Sequence, residues 1–597
     1  MTAALYLTNF AVLDTGALGQ YNEYLTKQSG QLIYTRALRG PLERQGLPMA
    51  NKTEEIKKAK DGLDVWPDLL RYSKTGYASI PPDDMARLRW YGIYEQQPRV
   101  GHFMMRVKIP GGDATSAQFR ALARISREFG RSIADLTTRQ NVQFHWLTIE
   151  TIPEAIAMLN EVGLTTVGAC GDIARNVAGC PVAGLDPEEI YDCRPIIRDV
   201  TKFFLGNREF SDLPRKYKIT IGGCRYHCYQ PEINDLAFTA VRVPASISPS
   251  GAAVEGSVGF HVRVGGGLST QPKFSQRLDM LIRPDQVVDV ARAVTEIFRD
   301  YGYRERRNHA RLKFLVADWG AERFLEVLVE KLGWRPAPAI PGADLAARRA
   351  DHLGLHAQKQ PGLYWIGVPV LCGRLTADQL DAAAEIADGF CHGVIRTTNQ
   401  QNLIFPNIAE GRLEEAAAAL RAAGFEWNVS RFRREGIACT GTEFCNLAIT
   451  ETKNRLREIV EYLEERLDWD EPIRINLNGC PNSCGQHHIG DIGLQGCLAR
   501  LDGRQVEAYD ISLGGRLGAD ARFTRPIRRK VPADKVKFAL ENLLRAYLNR
   551  RSDDETFPLF VDRHTDDELG AMLGLDLLAR DDPDFVPPPP PHAAVLD

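Results

Sequence analysis

Two short cysteine pairs carry the clearest chemical signal in this chain of 597 residues. Cys439 and Cys445 have five residues between them, and Cys480 and Cys484, which follow about 35 residues later, have three. Four thiolates that come as two close pairs are typical of the ligands of an iron–sulfur cluster. A structural zinc ion also takes four cysteines, but its pairs usually enclose two to four residues. The wider first pair therefore favours the cluster.

The residues around these cysteines suggest how they are positioned. Thr440 and Glu443 form a Thr-x-x-Glu pattern, which predicts a capping box and the start of a helix within the first pair. The positive end of such a helix would stabilise the thiolates. Apolar residues recur at helical spacing beyond it, at Leu456, Val460, Leu463 and Leu467. The second pair lies among the loop-forming residues Asn478, Gly479 and Pro481, which would let the backbone curl around an inorganic core.

A set of cations in the first half of the chain could bind an anion. Arg106, Arg139 and Arg175 lie in three separate motifs, and Lys216 and Lys218 lie together in a predicted strand. Alternate residues of a strand share a face, so the two lysines are expected to point the same way. Two ammonium groups on one face are tolerated opposite a polyanion or in water, so a solvated strand face remains the alternative.

A second basic stretch covers residues 301–313. Arg307, Arg311 and Lys313 are its candidates for contacts with the carboxylates of a cofactor. A plain exposed surface is the other interpretation of this stretch, and the sequence alone does not choose between them.

The totals describe a globular protein of several domains, with a formal charge of −3 and 44% hydrophobic residues. The near-neutral balance gives no basic surface of the kind that binds nucleic acid, and no run of eighteen apolar residues indicates a membrane span. The first residues lack the basic lead of a signal peptide. Twelve cysteines in such a chain indicate a reducing compartment, and we expect the protein to be cytoplasmic.

An internal repeat organises the chain. Residues 101–164 align without a gap with residues 362–425 at an offset of 261, and each copy reads strand, helix, strand, helix. A second match, at an offset of 256, joins residues 219–228 to residues 475–484. We therefore predict an α+β fold built by duplication, with a pseudo-two-fold axis and a ligand site between its halves.

From about residue 85 to residue 560 the sequence closely resembles the sirohaem-dependent assimilatory sulfite and nitrite reductases. The motifs that carry the resemblance are the two cysteine pairs and four segments around the cations, namely Phe103-Met-Met-Arg106, Thr137-Thr-Arg-Gln-Asn141, Asp172-Ile-Ala-Arg175-Asn and Leu213-Pro-Arg-Lys-Tyr-Lys218. The duplication is also a hallmark of that family.

The resemblance implies a [4Fe–4S] cluster and a sirohaem. The cluster would be held by Cys439, Cys445, Cys480 and Cys484, and Cys484 would also be the axial sulfur that bridges to the sirohaem iron. Residues that match the family's substrate-side groups, which bind the anion and supply protons, are Arg106, Arg175, Lys216 and Lys218. Arg139 matches a residue associated with the sirohaem carboxylates.

The resemblance also bears on substrate and electron donor. The position of Lys218 is lysine in sulfite reductases and often asparagine in nitrite reductases, so sulfite is favoured and nitrite is the alternative. Tyr94 and Cys170 match a pair that is covalently linked in some ferredoxin-dependent sulfite reductases, and an unlinked pair is the other possibility. The segment 264–268 lacks the glycine pattern of a nucleotide loop, so electrons are expected from a separate protein such as ferredoxin. A non-catalytic iron–sulfur electron carrier is the alternative from another class.

The resemblance and the repeat together predict the domains. They are an extension at 1–85, a ferredoxin-like half-domain at 86–165, a sirohaem and substrate-side domain at 166–335, a second half-domain at 345–428, the cluster domain at 429–565 and a proline-rich tail at 566–597. Cys224 and Cys228 occupy the first-half positions equivalent to Cys480 and Cys484, whereas the first cysteine pair has no matching pair there. A second metal and simple packing are the two interpretations of Cys224 and Cys228.

Overall fold

The structure, a computed structural model, describes residues 51–226, 228–244, 257–343, 351–501 and 503–575. All of them belong to one unit, Met49–Asp597. The first 50 residues of the predicted extension and the proline run of the tail lie outside the described residues. Within the described ranges no helix is both long enough and apolar enough to cross a lipid bilayer.

Three short helices precede the first repeat: α1 (Lys52–Ala59), α2 (Trp66–Thr75) and α3 (Pro82–Arg87). The helix expected near residues 49–62 is confirmed, and the Asn51 side chain caps it by accepting from the Thr53 amide at 3.1 Å. Leu69 and Tyr72 on α2 are buried in the core of the half-domains. Residues 51–87 are therefore helices packed on the core.

The two half-domains repeat each other element by element. The first contains β1 (Ile93–Glu95), β2 (His102–Val107), β3 (Asp113–Thr115), α4 (Ser116–Phe129), β4 (Ile133–Leu136), β5 (Val142–Thr148) and α5 (Ile152–Glu161). The second contains β11 (Gly354–Ala357), β12 (Leu363–Val368), β13 (Arg374–Thr376), α9 (Ala377–Phe390), β14 (Val394–Thr397), β15 (Leu403–Ala409) and α10 (Leu413–Ala422). From β2 and β12 onward each element begins 261 residues after its counterpart, which confirms the predicted strand and helix pattern.

The half-domains exchange a strand. β3 pairs with β14, with Ala114 opposite Ile395, and β13 pairs with β4, with Leu375 opposite Ala134. The sheet orders are therefore β1-β2-β5-β4-β13 and β11-β12-β15-β14-β3. Because each sheet takes its last strand from the other repeat, the two half-domains form one structure with a shared apolar core.

Each half-domain is followed by a larger module. The first contains β6 (Ala178–Gly179), α6 (Arg194–Phe204), β7 (Ile219–Gly222), β8 (Leu236–Arg242), β9 (Val258–Val264), β10 (Gln276–Ile282), α7 (Val287–Tyr301) and α8 (Leu312–Leu332). The second contains α11 (Arg431–Glu435), β16 (Ile437–Ala438), α12 (Lys453–Arg466), β17 (Ile475–Asn478), β18 (Ile492–Leu501), β19 (Arg504–Leu513), β20 (Arg525–Pro532), α13 (Val536–Arg550), α14 (Phe557–Arg563) and α15 (Asp566–Met572).

The two larger sheets share one topology. The orders are β10-β9-β8-β7-β6 and β20-β19-β18-β17-β16, and in both the three strands nearest the β6 or β16 edge are parallel. β7 and β17 are 256 residues apart, which confirms the second internal match. Loops at equivalent ends of the sheets can therefore carry different chemistry in the two halves.

The helix predicted to begin at Thr440 and Glu443 is wrong. Residues 439–452 form turns, and α12 begins only at Lys453. The Cys439 amide donates to the Leu477 carbonyl at 3.1 Å, so the backbone is still held by the sheet at the point where a helix would have to start. Glu443 instead forms an ion pair with Arg374 at 2.9 Å. The apolar spacing beyond it is confirmed, since Leu456 lies buried on α12.

Candidate functional site

The four predicted cluster cysteines lie on two neighbouring loops. Cys439 directly follows β16, Cys445 lies in the turn region after it, and Cys480 and Cys484 lie in the loop after β17. Three of their sulfur atoms accept hydrogen bonds, from the Gly479 amide to Cys439 (3.2 Å), from the Leu447 amide to Cys445 (3.4 Å) and from Asn482 Nδ2 to Cys480 (3.5 Å). N–H groups aimed at sulfur stabilise thiolates and tune the potential of a cluster.

The thiols influence one another electrostatically. Burial raises the pKa of Cys439 to about 12, and the neighbouring sulfur atoms of Cys484 and Cys480 act in the same direction. Burial also raises the pKa of Cys445 and Cys480, and Cys484 again adds to both shifts. Four mutually repelling thiolates in a buried place need a positive core among them.

Glycines let the two loops approach closely. A Cβ atom on Gly485 would lie 2.7 Å from the Leu477 carbonyl oxygen and 3.0 Å from the Cys439 amide nitrogen. Gly441 has a φ of 68°, and its Cβ would lie 2.5 Å from Thr452 Oγ1. The turn between Cys439 and Cys445 thus depends on a left-handed residue without a side chain.

The lysine pair faces the cluster loops. Lys216 and Lys218 flank the buried Tyr217, which forms an isolated parallel bridge with Ala174, and β7 begins just beyond them. Burial lowers the pKa of Lys216 to about 7, and the Cys484 sulfur opposes that shift. Burial and the neighbouring cations hold the pKa of Lys218 well below its ordinary value. The two lysines are therefore not a solvated strand face.

Arg106 joins the same cavity from β2. Its Nη1 donates to Cys170 Sγ at 3.0 Å and its Nη2 donates to Gln143 Oε1 at 3.0 Å. Burial acts to lower the pKa of Arg106, but the sulfur atoms of Cys170 and Cys484 and the phenol of Tyr94 outweigh it, so the pKa is raised. Gln143 Nε2 in turn donates to Thr440 Oγ1 at 3.1 Å, which links this arginine to the loop of the first cysteine pair.

Tyr94 and Cys170 both lie beside Arg106. Burial raises the pKa of Tyr94, and the Cys170 sulfur adds to that shift. The structure thus brings the two predicted partners near each other, and a covalent link between them stays a prediction.

Arg175 and Arg139 are held by backbone carbonyl groups. Arg175 donates through Nε and Nη2 to the Gly171 carbonyl at 3.0 and 2.7 Å. Arg139 Nη1 donates to Asn234 Oδ1 at 2.7 Å, and burial, reinforced by Arg175, lowers the Arg139 pKa to about 9. The Nε atoms of both Arg106 and Arg139 are buried without a protein partner, which leaves donors free for an anionic ligand.

The three cations of the second basic stretch have partners in the protein. Arg307 forms a bidentate ion pair with Asp172 (2.7 and 3.1 Å), and Arg311 forms one with Asp235 (2.9 and 2.7 Å). Lys313 Nζ donates to the Leu268 carbonyl at 2.9 Å. Arg311 and Lys313 are buried, so a plain surface is excluded for them. Their predicted contact with a cofactor stays a prediction.

Lys108 is a further buried cation that was not singled out as a site residue. It lies two residues from Arg106, it is 3% exposed, and burial together with Arg175 and Arg139 lowers its pKa to about 8. The spacing of two along an extended segment was the signal that could have identified it.

Comparisons with known proteins agree with this geometry. The family described as "Nitrite and sulphite reductase 4Fe-4S domain" matches residues 170–336 and 431–563. The family described as "Nitrite/Sulfite reductase ferredoxin-like half domain" matches residues 94–162 and 356–423. The chain belongs to the nitrite and sulphite reductase family.

Individual relatives of this family member carry both substrate names. A protein of Mycobacterium tuberculosis named "Sulfite reductase [ferredoxin]" is 38% identical over 87% of this chain and 96% of its own length. A "Ferredoxin–nitrite reductase" of Synechococcus elongatus is 39% identical over 83% of this chain and 96% of its own length. The solved structure of the M. tuberculosis NirA protein superposes with a TM-score of 0.82 at 38% identity, covering 87% of this chain and 97% of that one.

The residues present fit both cofactors of the family. Cys439, Cys445, Cys480 and Cys484 offer four sulfur ligands on two adjoining loops, and the N–H groups aimed at sulfur suit thiolate ligands of iron. The cavity on the other side of Cys484 is lined by cations, two of which keep an unpartnered buried Nε atom. Such donors suit the carboxylates of a sirohaem.

Proposed function

We propose that this protein is a ferredoxin-dependent sulfite reductase that carries out the six-electron reduction of sulfite to sulfide. One observation carries the proposal: the Cys484 sulfur of the cluster domain acts on both Arg106 and Lys216, which come from two other parts of the chain. A thiolate ligand and a cationic anion site therefore share one cavity. An electron carrier that binds no small anion has no use for such a cavity, which argues against the non-catalytic alternative.

When bound, the [4Fe–4S] cluster and the sirohaem supply the electrons and the iron at which the anion is reduced. The chain's own residues attract the anion and provide protons. Each oxygen of sulfite that is removed leaves as water, so proton donors are needed beside the substrate. Lys216, with a pKa of about 7, can hold a proton and release it near neutral pH.

Two further cations fix the anion. Arg106 presents a guanidinium whose raised pKa keeps it charged, and the Gly171 carbonyl holds Arg175 in place from behind. Oriented cations in a buried cavity stabilise the negative charge that builds up as electrons arrive. We assign Arg106, Arg175, Lys216 and Lys218 these roles.

The electron donor is proposed to approach the loop of Cys445. A surface depression of about 330 Å³ lies there, lined by Gln97, Pro98, Thr442, Glu443, Cys445 and Ala448. Leu447 next to it is 67% exposed and Ile449 is 37% exposed. Exposed apolar side chains beside a ligand of the cluster suit a small redox protein such as ferredoxin. The twelve cysteines are free thiols, which supports a reducing compartment and hence the cytoplasm.

Nitrite reduction to ammonia is the second candidate, favoured by the relatives named ferredoxin–nitrite reductase. Lys218 is the residue on which the choice of sulfite depends, because a second buried ammonium favours a doubly charged anion over a singly charged one.

The test is steady-state reduction of sulfite and nitrite with reduced ferredoxin in the wild type and in Lys218→Asn. We expect kcat/KM for sulfite to fall about ten- to a hundredfold, as befits a lost charge-assisted contact, and nitrite to lose much less. Lys202→Asn, on the exposed face of α6, is the matched control. An unchanged ratio of the two activities in Lys218→Asn would overturn the choice of sulfite, and a wild type that reduces neither anion would overturn the enzyme.

A further inference from the structure

A second cysteine cluster lies in the first larger module. The Sγ atoms of Cys180, Cys224 and Cys228 all lie within 4.8 Å of one another, and those of Cys224 and Cys228 are 3.7 Å apart. All three residues are at most 4% exposed. Sulfur ligands of one tetrahedral zinc ion, at Zn–S distances of about 2.3 Å, lie about 3.8 Å from one another. The spacing is that of ligands to a single ion.

These three cysteines are the structural counterparts of three cluster ligands. Cys224 and Cys228 lie 256 residues before Cys480 and Cys484. Cys180 directly follows β6 as Cys439 directly follows β16, and β6 and β16 pair in the same register with β7 and β17. The offset between Cys180 and Cys439 is 259, so the sequence comparison at 256 missed it. The structure thus supplies a counterpart for one member of the first cysteine pair.

The first-half cluster differs from the second-half one in its surroundings. Trp365 and Ile404 of the second half-domain pack against the three cysteines. In the first half-domain the position equivalent to Ile404 is Gln143, which binds Arg106, and the position equivalent to Arg106 is Gly367. An apolar cover therefore replaces the cationic cavity, and no room for a charged macrocycle remains beside these thiols.

The cube and the single ion also make different demands on spacing. In a [4Fe–4S] cluster each cysteine binds a different iron, so the sulfur atoms stand apart. In the described part of the chain Cys180, Cys224 and Cys228 form the one cysteine group that is closed up within 4.8 Å, and Cys439, Cys445, Cys480 and Cys484 do not form such a group. The two sites are thus suited to different metals.

His352 is a candidate for a fourth ligand. It is 5% exposed, and its Nε2 atom is buried without a hydrogen-bond partner. Its backbone carbonyl accepts from Trp365 Nε1 at 3.4 Å, which places it beside the residue that covers the thiols. Burial lowers the pKa of His352 and the nearby Cys224 sulfur opposes that shift, so the imidazole lies within electrostatic reach of the thiols.

We propose that Cys180, Cys224 and Cys228 bind one zinc ion, with His352 Nε2 as the fourth ligand. Three soft sulfur atoms and one imidazole in tetrahedral arrangement select zinc among the common divalent ions. The three residues between Cys224 and Cys228 match the spacing of a zinc knuckle. Binding converts three thiols to thiolates and releases their three protons to solvent, with no change of oxidation state.

The ion would fasten the first larger module to the second half-domain. Asn399 Nδ2 donates to the Cys228 carbonyl at 2.8 Å, and Arg396 Nη1 donates to the Ala183 carbonyl at 3.0 Å, so both ends of the cysteine cluster already contact β14 and the turn after it. Thr138, the counterpart of Asn399, donates to the carbonyl of Cys484 at 3.1 Å. The zinc site is therefore the structural partner of the cluster site across the pseudo-two-fold axis.

The test measures metals in the holoprotein without relying on activity. Zinc and iron are determined by elemental analysis in the wild type, in Cys224→Ser and in Cys391→Ser, a buried cysteine of α9's C-terminal end that serves as the matched control. We expect about one zinc per chain in the wild type and in the control, none in Cys224→Ser, and the same iron and labile sulfide in all three. Zinc K-edge absorption should show sulfur neighbours at about 2.3 Å and a nitrogen at about 2.0 to 2.1 Å.

Each alternative has its own outcome. A wild type purified from zinc-supplemented cells with no zinc above background would show that the three residues are packing cysteines and would overturn the proposal. Zinc that persists in Cys224→Ser would belong elsewhere, for example to cluster thiols that lost their iron, and would overturn it as well. In His352→Ala we expect faster loss of zinc to a chelator, and an unchanged nitrogen signal in that variant would remove His352 from the ligand set.

Discussion

The side-chain amides of Gln230 and Gln486 donate hydrogen bonds to each other, Nε2 to Oε1 in both directions at 2.7 Å. The two residues are 256 apart, both have left-handed backbones with φ of 56° and 63°, and both are 6% exposed. The pseudo-two-fold axis therefore passes between two copies of one side chain. The halves meet there through a self-complementary contact, as the subunits of a symmetric dimer do.

The glutamine pair should show strong coupling in a double-mutant cycle. Gln230→Leu leaves the Gln486 amide buried without its partner, which costs about 1 to 3 kcal/mol. Replacing both residues by leucine leaves no unpaired amide in the pair, so the double variant should lose less stability than the sum of the single variants. The measurement is denaturant unfolding of the holoprotein, with Gln505→Leu on exposed β19 as the control. Additive losses would show that the two amides do not depend on each other.

Glu232, two residues from Gln230, should make the stability fall as pH rises. Burial raises its pKa from 4.5 to about 7, although the Gly518 amide donates to Oε1 at 2.6 Å and opposes the shift. The folded state thus holds this proton more tightly than the unfolded state, so the folded state loses stability as pH increases from about 4.5 through about 7.

Glu232→Gln removes that loss. We expect the variant to gain stability over the wild type between pH 5 and pH 8, by up to about 3 kcal/mol, the free energy of roughly two and a half pKa units. At pH 5 the two proteins should differ little. Thermal unfolding at a series of pH values checks this, with exposed Glu410→Gln as the control. A constant difference across the range would mean that Glu232 does not titrate differently in the folded state.

The sequence could predict the half-domains because the two copies differ by no insertion. The single offset of 261 holds from β2 to the end of α10, so strand and helix patterns coincide and each copy supports the other. The exchange of β3 and β13 could not be predicted. Each strand has three residues, and the pairing that decides which sheet it joins is made with residues far away in the chain.

The candidate site was predicted where residue type decides and missed where contacts decide. Four cysteines and the flanking cations are recognisable from chemistry alone. Glu443 satisfied a capping pattern, but a charged partner on an exchanged strand holds it instead. Cys180 was hidden because the loop between β6 and β7 is three residues longer than the one that would keep the offset of 256.

Arg374 on β13 should protect the cluster through Glu443. It donates to both carboxylate oxygens of Glu443 at 3.0 and 2.9 Å, and its Nε donates to Asp135 Oδ1 at 2.9 Å, so the exchanged strand anchors the loop that carries Cys439 and Cys445. Glu443→Gln weakens this partly exposed pair by about 1 kcal/mol.

The consequence is faster loss of the cluster in air. We expect the cluster absorbance of Glu443→Gln to decay about fivefold faster than that of the wild type, the rate change that about 1 kcal/mol gives if the loop must open first. Glu410→Gln should decay like the wild type. Equal decay in Glu443→Gln would show that the Arg374 contact does not control the opening of the loop.

Lys216 should impose an alkaline limit on turnover. Burial lowers its pKa to about 7, with Arg311, Arg215 and Arg175 acting in the same direction against the Cys484 sulfur. The ammonium form that attracts an anion and donates a proton therefore predominates below about pH 7 and is lost above it. With nitrite, which remains a monoanion through this range, kcat/KM should be level below pH 7 and fall about tenfold per pH unit above it. In Lys216→Arg the guanidinium stays charged, so the alkaline fall should disappear while kcat drops because the proton is no longer released. The same alkaline limb in Lys216→Arg would assign the titration to another group.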